Sequence, residues 1–135
     1  MLEAAMHTEQ HARTEEVAEK AFSCAPEQVG VARRWAAAVY RDAGADPDAC
    51  YLLVSEMATN AVIHAPGEEF RIRIHREALW IEVWDESTRL PQQREHDEMA
   101  QDGRGLELLD LLTEEYEVVL GPTGKAICFQ PKLGF

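Results

Sequence analysis

The sequence changes period once. Between Pro26 and Ala65 apolar residues return every three or four positions, and from Phe70 onward they alternate with polar ones. A period near 3.6 buries one stripe of a helix, whereas a period of two buries one face of a strand. The chain must therefore set helices from its first half against strands from its second. Val29, Ala32, Ala36, Val39 and Tyr40 mark a first helix, closed by Gly44. A second runs from about Pro47-Asp48 to Ala65, with Asp46 as N-cap and Pro47 at the first helical position. Pro66-Gly67 ends it, and Leu52, Leu53, Met57, Ala61 and Ile63 are expected to face the core.

In the second half, Phe70, Ile72 and Ile74 alternate with Arg71, Arg73 and His75, and after a turn at Glu77-Ala78 the pattern repeats over Leu79 to Trp84. A polar stretch from Asp85 to Asp102 follows, and then Gly103-Arg104-Gly105 opens a short helix over Leu106 to Leu112. Tyr116, Val118 and Leu120 form a third strand, Gly121 to Gly124 a turn, and Ala126 to Phe129 a fourth strand; a short strand is also expected near Phe22–Cys24. Helices grouped apart from hairpin-joined strands predict an α+β fold, a two-layer sandwich whose mixed or antiparallel sheet is covered on one face by helices. Residues 1–20, rich in Glu, His, Gln and Ala, are read as a flexible N-terminal tail, and residues 21–135 as one domain.

Charge narrows the function. Lys and Arg number 13 against 25 Asp and Glu, a formal net charge of −12, which argues against a nucleic-acid footprint or an anionic membrane surface. No apolar run reaches the ~20 residues that span a bilayer, and no signal-peptide pattern opens the chain, so a cytoplasmic protein is expected. Cys24, Cys50 and Cys128 have neither disulfide-framework nor metal-ligand spacing and are read as buried free thiols.

Three segments invite chemistry. Glu56, Asn60 and His64 recur four residues apart and line one face of the second helix. On its own this is more often a solvated helix face, and a His near a helix C-terminus is favoured by the dipole. Asp85 closes the second long strand, either as a turn former or as a buried acceptor for an amine on a ligand base. Gly103-Arg104-Gly105 precedes a helix, so its backbone N–H groups and Arg104 suit a phosphate; the plain alternative is a glycine-ended loop. No P-loop sequence is present.

The ordered combination resembles the GHKL ATP-binding domain shared by gyrase, heat-shock chaperone, histidine-kinase and mismatch-repair ATPases, and most of all the small RsbW-like anti-sigma serine kinases. Ser55 to Ala65 is similar to that family's N-box, Asp85 to the aspartate of the next box, and Gly103-Arg104-Gly105-Leu106 to its glycine box. The resemblance covers about Phe22 to Leu133. It implies a Bergerat-type fold that binds ATP and Mg2+, with Asn60 as the metal ligand and Glu56 as general base toward a protein serine or water. It further implies that Asp85 receives the adenine amino group. His64, Ser87, Gly103, Arg104, Gly105 and Leu106 complete the ATP-binding set, beneath a lid at about Ser87 to Asp102. The implied partners are a sigma factor and an anti-sigma-factor antagonist protein, and a homodimer is allowed.

The chain departs from the family pattern at Glu86, Ser87, Thr88 and Arg89, where glycines are frequent, and at Ala126, aligned with a common threonine near the base. Beside the serine/threonine kinase stands a second reading, a non-catalytic regulatory binding module of the same fold with little or no nucleotide binding. A third, the catalytic part of a two-component histidine kinase, lacks the helix pair and membrane span that it would need.

Overall fold

A computed structural model of the protein describes residues 16–64, 67–86 and 104–133. Its elements in chain order are β1 (Val17–Ser23), α1 (Pro26–Asp42), α2 (Asp48–His64), β2 (Glu69–His75), β3 (Trp80–Asp85), α3 (Arg104–Leu112), β4 (Thr113–Leu120) and β5 (Lys125–Pro131). The strands form one five-stranded sheet in the order β1-β2-β3-β5-β4, antiparallel at every pair. The expected α+β sandwich is what the chain forms.

The alternation decides which face is covered. Phe70, Ile72 and Ile74 of β2, Ile81 and Val83 of β3 and Phe129 of β5 are buried in one cluster with Ala32, Ala36, Tyr40, Leu53, Met57 and Ala61 of the helices. The opposite face carries Arg73, His75 and Glu82 and has no helix over it among the described residues. Phe22 of β1 extends the core at the sheet's edge, stacking on Phe70 at 5.3 Å and meeting Trp35 edge-on at 5.9 Å. Such aromatic pairs each contribute about 0.5–1.5 kcal/mol beyond their area.

Turn chemistry follows the sequence closely. Gly44 takes φ +78 past the end of α1. The Ala45 and Gly44 amides donate to the Tyr40 and Arg41 carbonyls, a Schellman closure that needs a residue tolerant of the left-handed region. At the start of α2, Asp46 Oδ1 accepts the Asp48 amide at 3.0 Å. Leu79 turns the β2–β3 hairpin at φ 61, and its carbonyl accepts the buried Tyr40 hydroxyl at 2.6 Å. That bond secures an unfavourable backbone conformation from the helix layer.

Four expectations need correction. The short strand near Phe22 is seven residues long and starts at Val17, so residues 17–20 belong to the sheet; antiparallel pairing with β2 satisfies a backbone whose side chains show little hydrophobic pattern. β4 begins at Thr113, directly after α3, because Thr113 Oγ1 bonds the Leu109 carbonyl and Lys132 caps Leu112 from the neighbouring strand. The last strand runs from Lys125 to Pro131, longer at both ends than Ala126 to Phe129. In α2, Leu53, Met57 and Ala61 are buried, but Leu52 and Ile63 are 49% and 59% exposed. Those two lie on the far side of the helix from the Leu53–Met57–Ala61 stripe, which a 3.6-residue period cannot bring to the same core.

Residues 1–15 and 87–103, and with them most of the tail and the expected lid, lie outside the described residues. Among the described residues no helix is long and apolar enough to cross a membrane.

Candidate functional site

α2 is the element on which the site is built. Its core stripe presses it onto β2, β3 and β5, while its sides meet α1 and α3. Glu56 and Asn60 flank the buried stripe and are half-buried, the placement of groups that are held in position yet reachable. Just before them, Ser55 Oγ accepts a hydrogen bond from Arg33 Nη1 of α1 at 3.0 Å, and the Arg33 guanidinium lies 5.1 Å from the Tyr51 ring centroid. Thr59 turns inward, donating its hydroxyl to the Ser55 carbonyl at 2.7 Å. The hydroxyls of Ser55 and Thr59, the residues next to Glu56 and Asn60, thus have partners within the helix layer. His64 closes α2, and its side chain is outside the described residues.

Asp85 ends β3 on the covered face, in the alternation that buries Ile81 and Val83. It stands opposite Lys125 of β5, whose Nζ donates to both carboxylate oxygens at 2.9 and 3.2 Å. The side chains of Lys125 and Asp85 are only 8% and 12% exposed. The sequence reading made Asp85 a turn former or a buried acceptor for an amine, and it is a buried acceptor whose amine belongs to the protein. Sequence reasoning passed over Lys125. Its signal was a lone lysine opening an otherwise apolar strand, Ala126 to Phe129, where a charge requires a partner.

The end of β3 is tied to the chain leaving α2. Glu86 accepts the Glu68 amide at 2.6 Å, and Cys24 N donates to the Glu68 carbonyl at 3.1 Å. Gly67 packs against the Glu86 side chain, where a Cβ would collide. Glu86, one of the residues at which the chain departs from the glycines frequent in the family it resembles, therefore anchors the chain after α2 to the end of β3.

α3 starts at Arg104 and packs on α2 and β4. The first amides of a helix lack intrahelical partners and attract anions. The start at Arg104 is two residues before the expected Leu106, so Gly105 and Leu106 lie in the first turn of α3; the side chains of Arg104 and Leu106 are outside the described residues, as are Gly103 and Ser87 altogether. Ala126 is fully buried, paired with Trp84 and Val119, and offers no hydroxyl.

The donor set suits a magnesium nucleotide at one end. Mg2+ takes one or two protein oxygens and keeps water and phosphate for the rest, which a half-buried Asn60 beside Glu56 can satisfy; no group of three or more His, Cys, Asp or Glu among the described residues forms a dedicated metal cage. At the end of β3, Asp85 is one half of a charge pair and not a lone carboxylate.

Two comparisons bear on these features. A family profile described as a histidine kinase-like ATPase domain matches residues 22–130. A search of curated proteins finds no match.

Proposed function

The chain belongs to the histidine kinase-like ATPase family, and on that premise we propose that it is an ATP- and Mg2+-binding regulatory protein, an anti-sigma factor with serine/threonine kinase activity toward an antagonist protein. The observation that carries this reading is the position of α2. It packs at once on β3, on β5 and on α3, and β3 and α3 are the elements next to the second and third segments whose order in the sequence resembles the family's boxes.

In this reading Asn60 holds Mg2+, which when bound neutralises phosphate charge and aligns the transferred group. Glu56 accepts the proton of a serine hydroxyl as its oxygen attacks the γ-phosphorus. The bond from that phosphorus to the bridging oxygen breaks, leaving ADP and a phosphoserine. Arg104, Gly105 and Leu106, in the first turn of α3, and Gly103, which precedes them in sequence, receive phosphate oxygens with backbone N–H groups and one guanidinium. His64 and Ser87 border the nucleotide, and Asp85 meets the base. Phosphoryl transfer asks chiefly for positioning and charge neutralisation, so few side chains suffice. The exposed Leu52 and Ile63 on the outer side of α2 suit a protein partner, a sigma factor or its antagonist, and the location is the cytoplasm.

Calorimetric titration with Mg-ATP tests this reading directly; no heat at millimolar nucleotide would sink it. With binding in hand, Glu56→Ala should abolish phosphotransfer to a co-encoded antagonist and leave ATP affinity near the wild-type value. Equal phosphotransfer would remove Glu56 as the base. One observation favours the second reading, a binding module without catalysis: the Asp85 carboxylate is already held by Lys125.

A further inference from the structure

The Asp85–Lys125 pair is a built feature. The β3–β5 register places the two residues directly opposite each other, the ammonium reaches both carboxylate oxygens, and both side chains are close to fully buried. Gly124 presses so closely on the Asp85 carbonyl that a Cβ there would collide with it, which fixes the start of β5 against the end of β3. The pair lies on the sheet face that α2 covers. A mobile surface lysine would swing aside for a ligand; this one has its backbone set by strand pairing and its ammonium held by burial and by both carboxylate oxygens.

A base amino group is a neutral donor. An ammonium on the same carboxylate is a charged donor, roughly twice as strong, and burial strengthens it further. Adenine meeting Asp85 must therefore displace the lysine or share oxygens with it, bringing its own N–H groups beside three ammonium protons. A 6-oxopurine faces no such conflict, because its carbonyl accepts from the ammonium while its N1–H donates to the carboxylate.

We propose that Lys125 is a specificity-determining residue, an internal competitor for the base-recognition carboxylate that weakens binding of 6-aminopurine nucleotides relative to 6-oxopurine nucleotides. This rests on the reading of the site as a nucleotide site. Lys125 touches the group that selects the base and has no part in the transfer chemistry.

Calorimetry with Mg-ATP and Mg-GTP on wild type, Lys125→Met and Lys125→Gln tests it. Lys125→Met removes the ammonium at similar length, and Lys125→Gln keeps a neutral donor if the buried carboxylate does not tolerate methionine; thermal melts establish that each variant is folded. The expected result is an ATP affinity about tenfold higher in the variants, with GTP affinity unchanged or lower. The same result with wild type silent toward ATP also supports the proposal. Unchanged affinity for both nucleotides overturns it and leaves the nucleotide site standing. Silence of every protein toward both nucleotides overturns the proposal together with the nucleotide reading.

Discussion

Gly124 and Asp85 touch through their backbones: the Asp85 carbonyl oxygen occupies the space that any side chain on Gly124 would need. The contact lies at the mouth of the β3–β5 pairing, one residue before Lys125 enters the ladder. Backbone cannot swing away as a side-chain tip can, so an added methyl must push the strand start outward. Gly124→Ala is expected to destabilise the fold by about 1–3 kcal/mol and to loosen the Asp85–Lys125 pair, read as a lower midpoint in urea. The contrasting Gly44→Ala meets no neighbour within 4 Å, and its cost of about 1–2 kcal/mol comes from the left-handed backbone alone.

Glu82 organises the open sheet face. Its carboxylate takes His75 Nε2 at 2.6 Å, the Trp84 indole N–H at 2.8 Å and Arg73 Nη1 at 3.3 Å. Burial pushes its pKa up, but the hydrogen bonds from His75 and Trp84 and the Arg73 charge outweigh burial and hold it below the ordinary carboxylate value. The unfolded chain therefore takes up this proton before the folded one does. The resulting stability is complete above the ordinary value and is lost as pH falls through the folded one. Urea unfolding between about pH 6 and pH 3, on either side of a free Glu near 4.3, should show wild type losing more stability than Glu82→Gln. Parallel curves would refute the assignment.

Cys50 and Cys128 are buried free thiols. Burial is the first cause that pushes both up to about 12, and for Cys128 the nearby Glu82 and Glu117 add to it. The folded state keeps these protons longer than the unfolded chain, so stability falls as pH rises from the ordinary thiol range toward the folded value. At about pH 8, near a free thiol's 8.5, iodoacetamide should modify both far more slowly in the native protein than in guanidinium chloride. Equal rates in the two states would contradict their burial.

Asn60→Ala separates metal from nucleotide. In the proposed function its amide oxygen is the Mg2+ ligand, so the variant should lose about tenfold or more of Mg-dependent ATP affinity while binding without Mg2+ changes little. An equal loss under both conditions would assign Asn60 to the nucleotide itself.

Much of this was legible in the chain. The change of period after Pro66-Gly67 separates helices from strands, Gly44 and Asp46 mark a helix end and a helix start, and the Glu56–Asn60 spacing places two site residues on one helix flank. These are local properties, set by backbone sterics and by the repeat of the nearest elements; that Glu56 and Asn60 serve a site belongs to the proposed function.

What only the tertiary structure decided is long-range. Lys125 and Asp85 are 40 residues apart in sequence, and nothing near either one announces the other. Their meeting depends on the register between β3 and β5, which the burial of Ile81, Val83 and Phe129 on one face selects. The exposure of Leu52 and Ile63, apolar residues that looked like core, was decided the same way, by which side of α2 the sheet claims. The strand β1 at Val17 exists because β2 offers it an edge. Local preference determined the pieces and the shared helix flank of Glu56 and Asn60. Packing, which makes register an all-or-none choice between faces, determined that the Asp85 carboxylate at the end of β3 has an ammonium for its partner.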